Sequence, residues 1–477
     1  MLLFVLGLLL AASARADGVA ERIRQILETE AAAAEGHLGI LITDAATGEI
    51  IFEKDSRRFF VPASNTKLFT SSLALARLGP RHTFRTVVIA GAAPDRQGRI
   101  SGPVYLVGGG DPNFSARAIP YRPDPPPPAT LQPIEDLADQ IAARGVTRIS
   151  GGVIGDDTRY PFEPHPPGWT MEDAVWAYGA PVSALTFNDN ALTLTLQPGD
   201  PARLLLDPPV EYFLFDNRVT VGSPDRLEVE RPAGSRQLRL TGQLDPQGTG
   251  VSTRLAVDDP AEFAAAALRD ALLRRGIRIE GGAGARHWWP GRPAPPPIAG
   301  VELAARESPP LLEGLKVLNK VSQNLHAELM LCAAAHAAGR AGTRAAGRAE
   351  LESFLAEAGI STSGVALADG SGLTRRNLVT PAAVHALLRY WHESPLRETW
   401  MNLLPVGGED GTLRARFRGT AAAGRVRAKT GTLSRVAALS GYLDRADGSR
   451  WIFSILANFQ PGAPAALIDK IVVVLLD

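Results

Sequence analysis

Apolar positions recur at helical spacing over residues 18–33, then change to alternation over 37–43 and 49–53. The pattern predicts a helix followed by two strands joined at the Ala46-Thr47-Gly48 turn. A second helical stretch covers 64–78, opened after Pro62 and stopped by Gly79-Pro80. Helical spacing returns over 311–319 and 325–338, on either side of Ser322-Gln323-Asn324. Near the other end, 425–433, 436–443 and 451–458 read as strands, the last two joined around Asp447-Gly448. Strands from both chain ends are expected to form one antiparallel sheet flanked by the terminal helices and by helices between 310 and 400, an α+β domain. The closing run 471–476 reads as a helix end packed into the core.

Between about 85 and 300 the texture changes to short strands, glycine turns and proline-rich connections such as 123–133 and 290–297. This region reads as an insertion. A weak recurrence lies inside it. Ala142-Ala143-Arg144-Gly145-Val146 leads into Gly151-Gly152, and Leu272-Leu273-Arg274-Arg275-Gly276-Ile277 leads into Gly281-Gly282, each read as helix, glycine stop, strand and turn. Two copies cannot stack a continuous core, so no solenoid is expected.

The chain has 477 residues, 45% hydrophobic and 21% charged, enough for two or three domains and unlike a disordered chain. Acidic and basic residues balance at 50 each, so no global field favours nucleic acid or anionic lipid. The segment MLLFVLGLLLAASARA has an apolar stretch too short to span a bilayer, followed by Ala14-Arg15-Ala16. It reads as a signal peptide, 1–16, giving an exported mature chain from Asp17. No later stretch is apolar enough for a transmembrane anchor. The single cysteine, Cys332, can make no internal disulfide and reads as a small buried residue. Only six basic residues are lysines, Lys54, Lys67, Lys316, Lys320, Lys429 and Lys470, so each retained lysine asks whether a compact, titratable ammonium is needed at its position.

Candidate chemistry concentrates in three short sites. Ser64-Asn65-Thr66-Lys67 places a hydroxyl and an amine one helical turn apart, and a serine needs such an adjacent base to become a nucleophile. The helix N-terminus adds partial positive charge where an oxyanion develops. In Ser322-Gln323-Asn324 an extended connection would send Ser322 and Asn324 to one side, a hydroxyl to relay a proton and an amide to hold a carbonyl. Lys429-Thr430-Gly431-Thr432 opens the last hairpin. There the glycine is expected to leave the strand face open to a substrate backbone, while the lysine presents a cation.

The ordered set S-x-x-K, S-x-N, K-T-G is the signature of class A β-lactamases and penicillin-binding proteins. The chain resembles the class C low-molecular-mass penicillin-binding proteins, the D-alanyl-D-alanine carboxypeptidases/endopeptidases of peptidase family S13 typified by penicillin-binding protein 4. Similar stretches include Gly109-Gly110-Asp111-Pro112, the segments 168–181, 319–328 and 407–413, and Asp369-Gly370-Ser371-Gly372-Leu373. The resemblance implies a penicillin-binding/β-lactamase-like transpeptidase domain with a five-stranded antiparallel sheet, built from 17–85 and 300–477. Residues 86–299 would be an accessory insertion of two nested domains, in keeping with the long interval between Ser64 and Ser322.

Carried over by position, the resemblance makes Ser64 the nucleophile and Lys67 its proton acceptor. Ser322 would relay the proton to the leaving amine, Asn324 would orient Lys67 and the substrate, and Lys429 would meet the substrate carboxylate. Backbone N–H groups of Ser64 and Thr432 would form the oxyanion hole. Asp173, Tyr178 and Arg375 would receive the side chain of the peptide's diamino acid, with Ser434 a further contact; Thr374 stands where the family has a serine. The implied partners are peptidoglycan stem peptides and covalently bound β-lactams, in the periplasm or otherwise outside the cytoplasm. No cofactor, metal or nucleic acid is implied. The same nucleophile would also serve a β-lactamase or an esterase, and a non-catalytic sensor or scaffold could keep the fold.

Overall fold

Alternation at both chain ends resolves into one sheet in the computed structural model, which describes residues 18–30, 36–232, 234–460, 462 and 464–476. The signal peptide expected over 1–16 lies outside the described residues. Strands β1 (His37–Asp44) and β2 (Ile50–Lys54) form the expected hairpin. They join β3 (Val426–Leu433), β4 (Val436–Asp444) and β5 (Arg450–Asn458) in the order β2-β1-β5-β4-β3, antiparallel throughout. β4 and β5 are buried along almost their whole length, which explains why they read as apolar runs rather than as a clean alternation.

Three labelled helices accompany this sheet: α1 (Thr66–Leu78), α2 (Pro381–Glu393) and α3 (Pro464–Val474). α2 packs against β5 and β1, and Thr380 caps its N-terminus by accepting the Ala383 N–H. The helix over 18–29 and α3 share one core with the sheet, through Val19, Ile23, Ile40, Phe453, Ile468 and Ile471. The closing run thus packs inward as the pattern predicts.

The chain divides into two compact units. The first holds the described residues up to Arg77, Leu315–Ala327 and those from Arg348 onward; the second holds Leu78–Gly314 and Glu328–Gly347. The expected insertion, 86–299, falls in the second unit, together with flanking residues and the segment 328–347. Its hydrophobic core runs from Val88 to Ala304. It carries a five-stranded sheet ordered Ala283–Trp288, Val153–Pro161, Val104–Val107, Arg85–Ala90, Val301–Glu307, with smaller sheets beside it.

The weak recurrence has a structural meaning. Helices Gln132–Ala143 and Pro260–Arg274 are each followed by a left-handed glycine, Gly145 (φ +75°) and Gly276 (φ +78°). The short strands after them then pair in parallel, Arg148 with Arg278 and Ile149 with Ile279. A Cβ on Gly281 would lie 2.5 Å from Gly152 N, so the glycine pairs let the two copies meet backbone to backbone.

Candidate active site

Ser64 sits in a 3-10 turn, Ala63–Asn65, that precedes α1, so the helix expected from residue 64 becomes regular only at Thr66. Ala63 takes a left-handed φ of +47° at this corner. Lys67 follows in the first turn of α1 and is fully buried. Its Nζ lies 2.8 Å from Ser64 Oγ, 2.7 Å from Asn324 Oδ1 and 2.6 Å from the Ser371 carbonyl oxygen. An ammonium has three N–H bonds, and these three acceptors surround it.

The second motif arrives by a route the sequence did not suggest. A π-helical turn, Val317–Val321, ends at Ser322, whose φ of +64° and ψ of +39° are left-handed, not extended. The reversal, rather than strand alternation, brings Ser322 and Asn324 into the site. Ser322 Oγ accepts from Lys429 Nζ at 2.9 Å, and Asn324 opens the helix Asn324–Ala337. Lys429 on β3 is also fully buried and donates to the Thr430 carbonyl at 2.8 Å. Burial, and then the neighbouring Lys67 cation, hold the Lys429 ammonium well below the ordinary lysine range.

Gly431 corrects another expectation. A Cβ there would stand 2.6 Å from the Pro62 carbonyl oxygen and 3.2 Å from Ala63 Cβ. The glycine therefore admits the Ser64 turn against β3 instead of leaving the strand face open. The open side is the outer edge of β3, the terminal strand of the sheet. Gly407 N donates to Val426 O at 2.9 Å and Ala428 N to Pro405 O at 3.0 Å. Thr430 and Thr432 follow at the same parity, so their backbone groups face that edge. Thr432 and Ser434 are exposed.

Arg375 donates to the Ser434 carbonyl at 2.7 Å, which joins two of the expected side-chain contacts at the β3–β4 turn. Asp173 and Tyr178 lie in the second unit on neighbouring 3-10 turns, Asp173–Val175 and Ala177–Gly179. There Asp173 accepts the Thr170 N–H at 2.8 Å. Tyr178 is half-exposed, and burial followed by the Asp173 charge raises its phenol above the ordinary range.

Several further residues organise the cluster without having been assigned a role from the sequence. Asp369 accepts the Gly372 N–H (2.8 Å), the Thr374 N–H (2.9 Å) and Asn377 Nδ2 (2.6 Å), folding the loop that presents the Ser371 carbonyl to Lys67. Asn377 Nδ2 also reaches Thr66 Oγ1 at 3.1 Å. Asn65 Nδ2 donates to the Lys429 carbonyl at 3.1 Å and ties the Ser64 turn to β3. The sequence signal for Asp369 was its place in the Asp-Gly-Ser-Gly-Leu stretch that carries the family resemblance. Among the described residues no group of three His, Cys, Asp or Glu is placed to hold a metal ion.

Ser64, Lys67, Ser322, Asn324 and Lys429 thus form one cluster in the first unit, a buried amine beside a less buried hydroxyl. The chain and its fold are similar to known proteins. The model of the D-Ala-D-Ala carboxypeptidase 3 (S13) family matches residues 19–476. A D-alanyl-D-alanine carboxypeptidase of Actinomadura sp. (strain R39) is 38% identical over 482 residues, covering 97% of this chain and 85% of the relative. The crystal structure of penicillin-binding protein 4 from Haemophilus influenzae superposes with a TM-score of 0.79 at 23% identity, covering 95% of this chain and 97% of that one. The same protein complexed with a β-lactam gives a TM-score of 0.74 at 23% identity, with the same coverage. The chain belongs to the D-Ala-D-Ala carboxypeptidase 3 (S13) family, serine-type hydrolases of the penicillin-binding protein 4 fold.

Proposed function

We propose that the chain is an exported peptidase that cleaves D-alanyl bonds in peptidoglycan stem peptides, both terminal D-alanine and D-alanyl-diaminopimelate crosslinks, through an acyl-enzyme on Ser64. The observation that carries this reading is Lys67 Nζ, 2.8 Å from Ser64 Oγ and braced by Asn324 and the Ser371 carbonyl. In the neutral amine two N–H bonds stay on Asn324 Oδ1 and Ser371 O, which turns the lone pair toward Ser64. Ser64 Oγ then gives its proton to Lys67 as it attacks the carbonyl carbon. The oxyanion rests on the N–H groups of Ser64 and Thr432, each donor worth about 3 kcal/mol in comparable sites. Ser322, hydrogen-bonded to Lys429, gives its hydroxyl proton to the departing amine as the C–N bond breaks and takes one back from the Lys67 ammonium, which becomes neutral again; water later hydrolyses the ester. Arg375, at the β3–β4 turn beside Ser434, is assigned to the carboxylate of the diamino acid side chain, which a guanidinium suits.

A β-lactam offers the same carbonyl to Ser64 but keeps its leaving amine tethered, so it stalls as the acyl-enzyme. The test incubates the purified mature protein with monomeric and crosslinked muropeptides, with Ser64→Ala as control. Release of D-alanine and resolution of dimers by the wild type alone is the expected result. Inert muropeptides, or rapid nitrocefin turnover in their place, would overturn it.

A further inference from the structure

Three of the six lysines are buried, and Lys320 is the one the reaction above does not use. It lies two residues before Ser322 in the π-helical turn and is 6% exposed. Its Nζ donates to the Leu404 carbonyl at 2.8 Å and to Asp410 Oδ2 at 2.6 Å. Asp410 Oδ1 accepts the Val406 N–H at 2.8 Å, so this carboxylate organises the 404–413 loop while it holds the lysine.

The loop then returns to the K-T-G strand. Thr412 Oγ1 accepts from Thr430 Oγ1 at 2.7 Å, and Pro405 and Gly407 pair with the outer edge of β3. Gly411, at φ +56°, lets the loop backbone close on the π-helical turn, since a Cβ there would lie 2.6 Å from Lys320 O. The contacts make a closed circuit from Ser322 to Lys429 and Thr430, through Thr412 to Asp410, and through Lys320 back to Ser322.

We propose that Lys320 and Asp410 are a positioning pair that fixes the height and rotamer of Ser322 against Lys429, so that proton relay depends on an ion pair which touches neither substrate nor nucleophile. The proposal rests on the reading of Ser322 as the relay. A serine held at a left-handed φ gains no register from a regular strand or helix and depends on its neighbours to stay in place. A surface tether would be a weak device, but this pair is largely buried, with side chains 7% and 14% exposed, so removing either partner strands the other charge. Burial pulls the Lys320 ammonium below the ordinary lysine range, and Asp410 counters that pull.

The test measures the acylation rate constant and the labelled fraction with a fluorescent penicillin, for the wild type, Lys320→Met, Asp410→Asn, the double variant and Lys470→Met. Lys470→Met removes a surface lysine and keeps the wild-type rate. For each single variant the rate constant of the folded fraction falls about a hundredfold, as for other displaced catalytic groups. The double variant is no slower than the slower single one. A smaller labelled fraction with an unchanged rate constant would mean a purely structural role and overturn the proposal, as would additive losses in the double variant. Should Lys320→Met fail to fold, Asp410→Asn and Lys320→Arg decide the same question: the first must slow acylation and the second must recover part of it. A wild type that takes up no penicillin would instead refute the reading of Ser64, which keeps the two failures distinct.

Discussion

Two amines, Lys67 and Lys429, share one buried site, and their charges oppose each other. Lys429 feels this directly: burial first, and the Lys67 cation second, favour its neutral form. Between the lowered pKa and the unfolded value near 10.5, the unfolded chain binds a proton that the folded chain does not. Stability therefore rises with pH across that window, and the cost of burying the ammonium is fully present below it. Each unit of lowering corresponds to about 1.4 kcal/mol. Lys429→Met is expected to abolish acylation while matching or exceeding wild-type stability at pH 6, with its margin shrinking toward pH 10. Urea midpoints across that range check this, and a margin that widens with pH would refute it. The five cluster residues were legible in the sequence because each belongs to a short motif whose side chains supply the chemistry. Asn65 and Asn377 were not, because their partners, the Lys429 carbonyl and Thr66 Oγ1, lie 364 and 311 residues away, and Asp369 stood out only through its Asp-Gly-Ser-Gly stretch, since its loop-folding bonds follow no periodic pattern. Lys320 falls between: lysine scarcity marked it, but nothing local pointed to Asp410.

At the level of elements, the expected strands match β1 to β5 to within a residue or two at each end, because a sheet with buried faces imposes its own apolar record. The failures came where glycine or a left-handed residue changes direction. Ser322 was expected to be extended and ends a π-helical turn instead, a geometry with no periodic signature. Gly431 was read as an opening for substrate, yet it receives the Pro62 carbonyl, so the catalytic turn and β3 are packed as one piece. Gly431→Ala should therefore push the Ser64 turn off β3. An acylation rate lowered about tenfold or more, with near-wild-type thermal stability, is the expected outcome. Gly372→Ala is more severe, since at φ +84° its Cβ would lie 1.8 Å from the Ala63 carbonyl oxygen. It should lower both the acylation rate and the unfolding temperature. If both variants label at the wild-type rate, the packing of these loops does not set the position of the nucleophile.

For the whole molecule, each unit has its own core and its own titrating group, and the two respond to pH with opposite sign. In the second unit His287 lies between two carboxylates, 3.0 Å from Asp157 through Nδ1 and 3.1 Å from Asp259 through Nε2, stacked on Phe162 at 4.0 Å. Asp259 also caps the helix Pro260–Arg274, so the imidazolium joins that cap to the strands carrying Asp157 and His287. Burial lowers the imidazole's affinity for its proton, but the hydrogen bonds and charges of Asp157 and Asp259 outweigh it and raise the pKa to about 10. Between about 6.5, the unfolded value, and about 10 the folded histidine holds a proton that the unfolded one releases. Its contribution is complete below that window and is lost as pH rises through it. The second unit should thus weaken with rising pH where the lysine site of the first gains. Pulse proteolysis in urea, with fragments mapped to each unit at pH 6, 8 and 10, reads the two trends separately. His287→Asn is expected to flatten the decline in the second unit and to leave the rise in the first intact. If the decline persists in His287→Asn, the bridged imidazolium is not its source.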